Sequence, residues 1–171
     1  MRSFALPIGL FGLLLAGCSS YVTIPAQDGT VALHNPNLNN VVRVEAEAIR
    51  GVLDAEADTL PCQVQLPAGT SDLHHAQVLA SLGPRAAVPE QAGPGQMPVI
   101  QVRQVRIRGL TAQVDLVQPA SFHQPQGPAQ LATVWLKWYP LTGWQFQHVQ
   151  RWSIGLAEAV GPAGGNGPMG P

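Results

Sequence analysis

Apolar positions in this chain recur with two different periods, and the change from one to the other falls near the middle. Over Val41–Asp58 and just beyond, Val42, Ala46, Ile49, Leu53, Ala57 and Leu60 return at three- and four-residue steps. That spacing stacks side chains on one face of an α-helix. Asn40 offers a cap at its start and Pro61 limits its end. Cys62, Val64 and Leu66 then alternate with Gln63 and Gln65, which predicts a brief strand. Thr70-Ser71-Asp72 supplies the cap of a second helix that ends at Gly83-Pro84. Ala76, Leu79 and Leu82 form its apolar face, with Val78 at the margin.

After a Pro- and Gly-rich loop at Pro84–Pro98 the period becomes two. Val99–Arg108 and Thr111–Val117 flank Gly109-Leu110, a two-residue turn with Gly first. That turn sets Ile107 opposite Ala112 and Val105 opposite Val114. Continued strictly, it would put Arg103 opposite Leu116 and throw the apolar alternation out of phase. One extra residue at Arg103/Gln104 restores the phase and brings Val102 opposite Leu116, so a β-bulge is predicted there, with Arg103 and Gln104 facing Asp115. A second hairpin joins Leu131–Tyr139 to Trp144–Ile154 through Leu141-Thr142-Gly143, with the Gly in a left-handed position. By strict parity Val134, Leu136 and Trp138 share the buried face with Trp144, Phe146, His148, Gln150, Trp152 and Ile154. Trp135, Tyr139 and Val149 fall on the opposite face, with Trp135 across from Val149. The expectation is an α+β fold: two N-terminal helices packed on a curved antiparallel sheet of about four to five strands.

The N-terminus follows neither period. Arg2 precedes the apolar run Phe4–Leu15, which has the length of a signal-peptide core and falls short of the roughly 20 residues needed to span a bilayer. Leu15-Ala16-Gly17-Cys18 follows directly. The arrangement resembles a bacterial lipoprotein signal peptide with its lipobox. The resemblance implies a cut before Cys18, a diacylglyceryl group on its thiol and an acyl group on its new amine. Two or three chains hold firmly where one holds only reversibly. Ser19 and Ser20 follow the Cys, which in proteobacterial lipoproteins commonly accompanies the outer membrane. The expected organisation is a signal peptide at 1–17, a lipidated Cys and tether at 18–40 with a possible short strand at Thr30–Leu33, a globular domain at 41–155, and a disordered Gly/Pro-rich tail at 156–171.

Composition narrows the classes of function. Dropping Arg2 with the leader takes the formal charge from −1 to about −2, far from the basic balance that a phosphate backbone requires, so no nucleic acid is expected. Charged residues are 11% of the chain. With Cys18 blocked by lipid, Cys62 is the one remaining protein thiol, so no internal disulfide framework forms. Cys62 has no Lys or Arg near it in sequence and reads as a small buried residue.

Candidate chemistry is sparse. His148 and Gln150, set by parity on the buried face among Trp138, Phe146 and Trp152, define a candidate ligand pocket; a hydrogen-bonded core pair or a strand end twisted to solvent is the plainer account of them. Asp115 and Asp54 are acid/base partners for His148 only in principle. His74 and His75 diverge on a helix and lack the i, i+4 spacing of a chelating pair, so no metal and no cofactor is expected. His34 and His123 read as solvated loop residues. Arg106 and Arg108 share a polar face beside Arg103, a stripe that suits anionic headgroups or simply solvent. Trp135, Tyr139 and Val149 form a candidate protein interface on the outer face. Neither a Gly-x-Ser-x-Gly motif nor a phosphate-binding Gly loop occurs.

The element order over residues 41–155 weakly resembles the nuclear transport factor 2-like superfamily and the cystatin-like layout, both of which wrap a curved antiparallel sheet around N-terminal helical structure. That resemblance carries no catalytic residue across. The favoured expectation is a non-enzymatic binding or assembly module of the cell envelope, held to the membrane through Cys18 and able to meet an envelope protein partner. A pocket protein for a small hydrophobic ligand and a hydrolase or isomerase on a cone-shaped scaffold are the alternatives.

Overall fold

The chain is described from a computed structural model; the described residues are 21–28, 32–56, 61–87 and 97–152. The leader with Cys18, Thr30, Ala57, Leu60, residues 88–96, Ile154 and the tail at 156–171 lie outside them.

Helix α1 spans Asn39–Ala55 and lies against both the sheet and the second helix. Its burial extends well past a single stripe: Val41, Val44, Ala48 and Val52 are buried alongside Val42, Ala46, Ile49 and Leu53. A fully buried Val or Ile contributes about 1.5–3 kcal/mol, so this helix anchors the core. Its N-cap is Leu38, without a side-chain cap. Asn40, the expected cap, lies within the first turn, and its Oδ1 accepts a hydrogen bond from Trp144 Nε1 at 2.6 Å. At Gly51 the helix comes so close to the sheet that a Cβ would lie 2.1 Å from Phe146 Cδ2.

Helix α2 spans Asp72–Leu82, and its ends match the sequence. Ser71 Oγ accepts from the His74 backbone N–H, and Gly83 closes the helix at φ 62°. Its buried face is rotated from the expected one: Val78 and Leu82 are buried, His75 and Leu79 are half-buried, and Ala76 is exposed. A 3-10 turn at Gly83–Arg85 follows.

Among the described residues, seven strands form one curled, mixed sheet: β1 (Tyr21–Ile24), β2 (Cys62–Gln65), β3 (Ala86–Ala87), β4 (Val99–Arg108), β5 (Thr111–Pro119), β6 (Ala129–Tyr139) and β7 (Gly143–Trp152). Their order is β3-β2-β4-β5-β6-β7, with β1 also paired to β4. The α+β class stands, but the expected four or five antiparallel strands become seven, and two pairings are parallel. The parallel pair β2–β3 arises because α2 returns the chain beside the strand it left. Strand β1 comes from residues assigned to the tether, and β3 from the start of the Pro84–Pro98 loop. β1 pairs antiparallel with the second half of β4, from Tyr21↔Arg108 to Ile24↔Val105, and buries Val22 and Ile24. Of the short strand sought at Thr30–Leu33, Leu33 makes one bridge to Val22.

The first hairpin carries its bulge where the apolar phase demands it. Val102 pairs with Leu116 and Gln104 with Asp115, leaving Arg103 as the extra residue. The second hairpin turns at Gly143, φ 75°, but contains a bulge that parity alone does not predict. Leu136 pairs with Phe146 and Trp135 with His148, so Gln147 is the extra residue. One inserted residue sends every later side chain to the other face. His148, Gln150 and Trp152 therefore lie outside, and Val149, paired with Val134, lies inside. The inner faces of β4–β7 are filled by Val102, Val105, Ile107, Ala112, Val114, Leu116, Val134, Leu136 and Trp144 packing against α1. Among the described residues, no helix is long and apolar enough to cross a membrane.

Candidate functional site

The bulge at Gln147 divides the predicted pocket. Phe146 and Trp138 pack against the core from within, whereas His148, Gln150 and Trp152 are exposed on the outer face. The five residues do not enclose one cavity. The predicted interface also changes membership: Trp135 is on the outer face, Val149 packs against the core, and Tyr139 is exposed at the end of β6.

What the sheet does assemble on its outside is a polar and aromatic surface crossing four strands. Registry aligns Arg106, Gln113, Trp135 and His148 in one row, and Gln104, Asp115, Thr133 and Gln150 in the next. Beyond them Val117, Leu131 and Trp152 form a third row. The Trp135 and His148 rings are stacked, with centroids 4.5 Å apart and planes 12° from parallel. A hydrogen-bonded chain runs beneath: Trp152 Nε1 donates to Thr133 Oγ1 at 3.0 Å, and Thr133 Oγ1 donates to Asp115 Oδ1 at 2.7 Å. Asp115 Oδ2 accepts from Arg106 Nη2 at 2.8 Å. Thr133 is 6% exposed, so the chain fixes two side chains on the surface to a buried pivot. Asp115 thus pairs with Arg106, its diagonal neighbour two residues along β4, and not with Arg103. The diagonal is within reach of a long side chain in an antiparallel ladder. Arg103 instead donates to Gln101 Oε1 at 3.3 Å.

The remaining candidates take structural parts. His75 Nε2 lies 3.1 Å from the Val64 carbonyl oxygen, and His74 Nδ1 2.8 Å from Ser71 Oγ. His34 Nδ1 lies 2.9 Å from the Thr23 carbonyl oxygen, which ties the loop to β1. Asp54 is paired with Arg85, and Glu56 with Arg151. Cys62 is buried, and desolvation pushes its thiol up to about 11. Among the described residues, no group of three His, Cys, Asp or Glu side chains is placed to hold a metal ion.

Glu45 escaped the sequence reading. It is 0% exposed within α1. Neither carboxyl oxygen has a hydrogen-bond partner among the described residues. Burial without a partner penalises the charged form, and the carboxyl is pushed up to about 8. Its spacing held the signal: Glu45 sits four residues from both Val41 and Ile49, inside an apolar stripe.

No protein-family model, no curated protein and no solved structure matches the chain.

Proposed function

We propose that the chain is a lipid-anchored protein of the cell envelope that acts by holding another envelope protein against the outer face of its sheet, without catalysis of its own. The observation that carries this reading is the Trp135–His148 stack beside Trp152 on an exposed β surface. Interface centres are enriched in Trp, Tyr and Arg, and depleted in Lys and Glu. The three rows from Arg106 to Trp152 hold two Trp and one Arg and neither Lys nor Glu. The Trp152–Thr133–Asp115–Arg106 chain holds Trp152 and Arg106 in place before a partner arrives, which lowers the entropy lost on binding. The lipobox at Leu15–Cys18 supports the location, and acyl chains on Cys18 would supply the attachment.

The test is site-specific photo-crosslinking in the native envelope. A photoreactive residue at Gln150, between His148 and Trp152, should capture a discrete protein that a control at exposed Gln77 on α2 does not. Trp135→Ala should abolish the adduct. Cys18→Ser should release the protein from membranes after a salt wash and lose the adduct with it. Equal capture from both positions, or none from Gln150, would reject the outer face as the interface.

A further inference from the structure

We infer that one end of the sheet, formed by Tyr21 and the tips of both hairpins, docks directly on an anionic bilayer surface. This rests on the anchor at Cys18 and adds to it an orientation.

Registry collects the residues of this end. Tyr21 pairs with Arg108, Thr111 with Lys137, and Tyr139 with Gly143. The Trp138 backbone N–H donates to the Leu110 carbonyl at 2.8 Å, which holds the two tips together. Four of the large apolar side chains exposed among the described residues lie here: Tyr21, Leu110, Tyr139 and, 98% exposed, Leu141. A hairpin tip has no fold reason to carry an uncovered Leu, and here both tips carry one. Each Tyr is accompanied by a cation: Arg108 lies 5.8 Å from the Tyr21 ring centroid, and Lys137 lies 5.5 Å from that of Tyr139. Arg43 of α1 adjoins the second tip across a cavity of about 240 Å³ that it lines with Thr142 and Gly143. In the same cavity Glu47 is occupied by Arg50. Along Arg108–Thr111 and Lys137–Gly143 there is no acidic residue.

Tyr beside Lys or Arg, with Leu protruding further, is the chemistry of the membrane interface. Aromatic rings sit at headgroup level, long basic side chains reach lipid phosphates, and aliphatic tips enter the acyl boundary. Chain length makes the encounter unavoidable. Tyr21 follows Cys18 by three residues, which reach at most about 11 Å when fully extended. The headgroup layer on each side of a bilayer is itself about 5–8 Å thick. A domain whose first strand begins that close to the acylated residue has no room to stand away from the surface, and Tyr21 belongs to the end carrying the Leu tips and the cations.

The lipidated full-length protein, reconstituted in phosphatidylcholine vesicles containing phosphatidylglycerol, provides the test. An environment-sensitive fluorophore is placed at Leu141→Cys or, as a control at the opposite end of the sheet, at Gln124→Cys, and quenched with nitroxide lipids. Quenching at 141 should exceed that at 124 at least five-fold. Leu110→Glu, which leaves Cys18 untouched, should bring it down toward the control while the protein still floats with the vesicles. Equal quenching at both positions in floating protein overturns the docked orientation alone and leaves the tips to a protein partner. Failure of the lipid-modified protein to float overturns the anchor and the orientation together.

Discussion

Replacing Glu45 should make the protein more stable and remove most of its pH dependence between mildly acid and neutral conditions. The carboxyl is buried with no hydrogen-bond partner among the described residues, and its pKa rises from 4.5 to about 8 on folding. In the unfolded chain it ionises at its ordinary value. Below that value both states hold the proton and the group costs nothing on this account. Above it the unfolded state releases a proton that the folded state retains, so stability falls by about 1.4 kcal/mol per pH unit. The fall levels off once the folded form ionises too, near 8. At neutral pH the accumulated penalty is on the order of 3 kcal/mol, a large part of the 5–15 kcal/mol or so that holds a domain folded. Glu45→Gln keeps the shape and removes the ionisation; Glu45→Met also removes the unsatisfied polar atoms. Urea unfolding from pH 5 to pH 8 or so should show the parent losing stability with rising pH while both variants stay nearly level, Met above Gln. A parent curve that is flat or rises over that range, or a Glu45→Gln curve parallel to it, would refute the neutral buried carboxyl.

Three further outcomes follow from the packing. Gly51→Ala places a methyl group within the Phe146 ring and should cost about 1–3 kcal/mol, as overpacking does. Phe146→Leu in the same chain should recover part of that loss, seen as a coupling term in a double-mutant cycle of denaturation midpoints. Trp144→Ala removes a buried ring and its bond to Asn40 and should cost about 3–5 kcal/mol. Trp152→Ala, with the ring 43% exposed and one hydrogen bond to Thr133, should cost about 1–2 kcal/mol; thermal melts in which Trp152 proves the costlier loss would overturn the outward assignment.

The two bulges show why one hairpin was legible in the sequence and the other was misread. In the first, the Gly109-Leu110 turn fixes the register, and the apolar residues on both strands fall out of step at one place. In the second, Trp144, Phe146, Trp152 and Ile154 keep a common parity, and only Val149 breaks it. Parity places the two large side chains Trp152 and Ile154 on the inner face at the expense of the smaller Val149. The extra residue Gln147 turns Trp152 outward, where its Nε1 donates to Thr133 Oγ1, and turns Val149 inward against the core. His148 and Gln150 were carried to the wrong face by the same error, and with them the pocket. Helix α2 was legible at both ends because Ser71 and Gly83 act through local backbone geometry. Strand β3 was not, because two residues carry no period. Strand β1 was hidden by the Pro25 and Asp28-Gly29 turn residues behind it, although Val22 and Ile24 alternate as a strand should. The parallel pairings depend on where a helix returns the chain, which no local pattern encodes.

The short ladder between β1 and β4 also has a mechanical consequence. Antiparallel bonds run across the strands, and the ladder between β1 and β4 runs from Tyr21↔Arg108 to Ile24↔Val105. Tension applied at Tyr21 along the strand axis loads these pairs in shear, so they resist together and do not peel apart one after another. Such a load passes from β1 into β4, the strand it pairs with, and so into the rest of the sheet before any single bond has to yield.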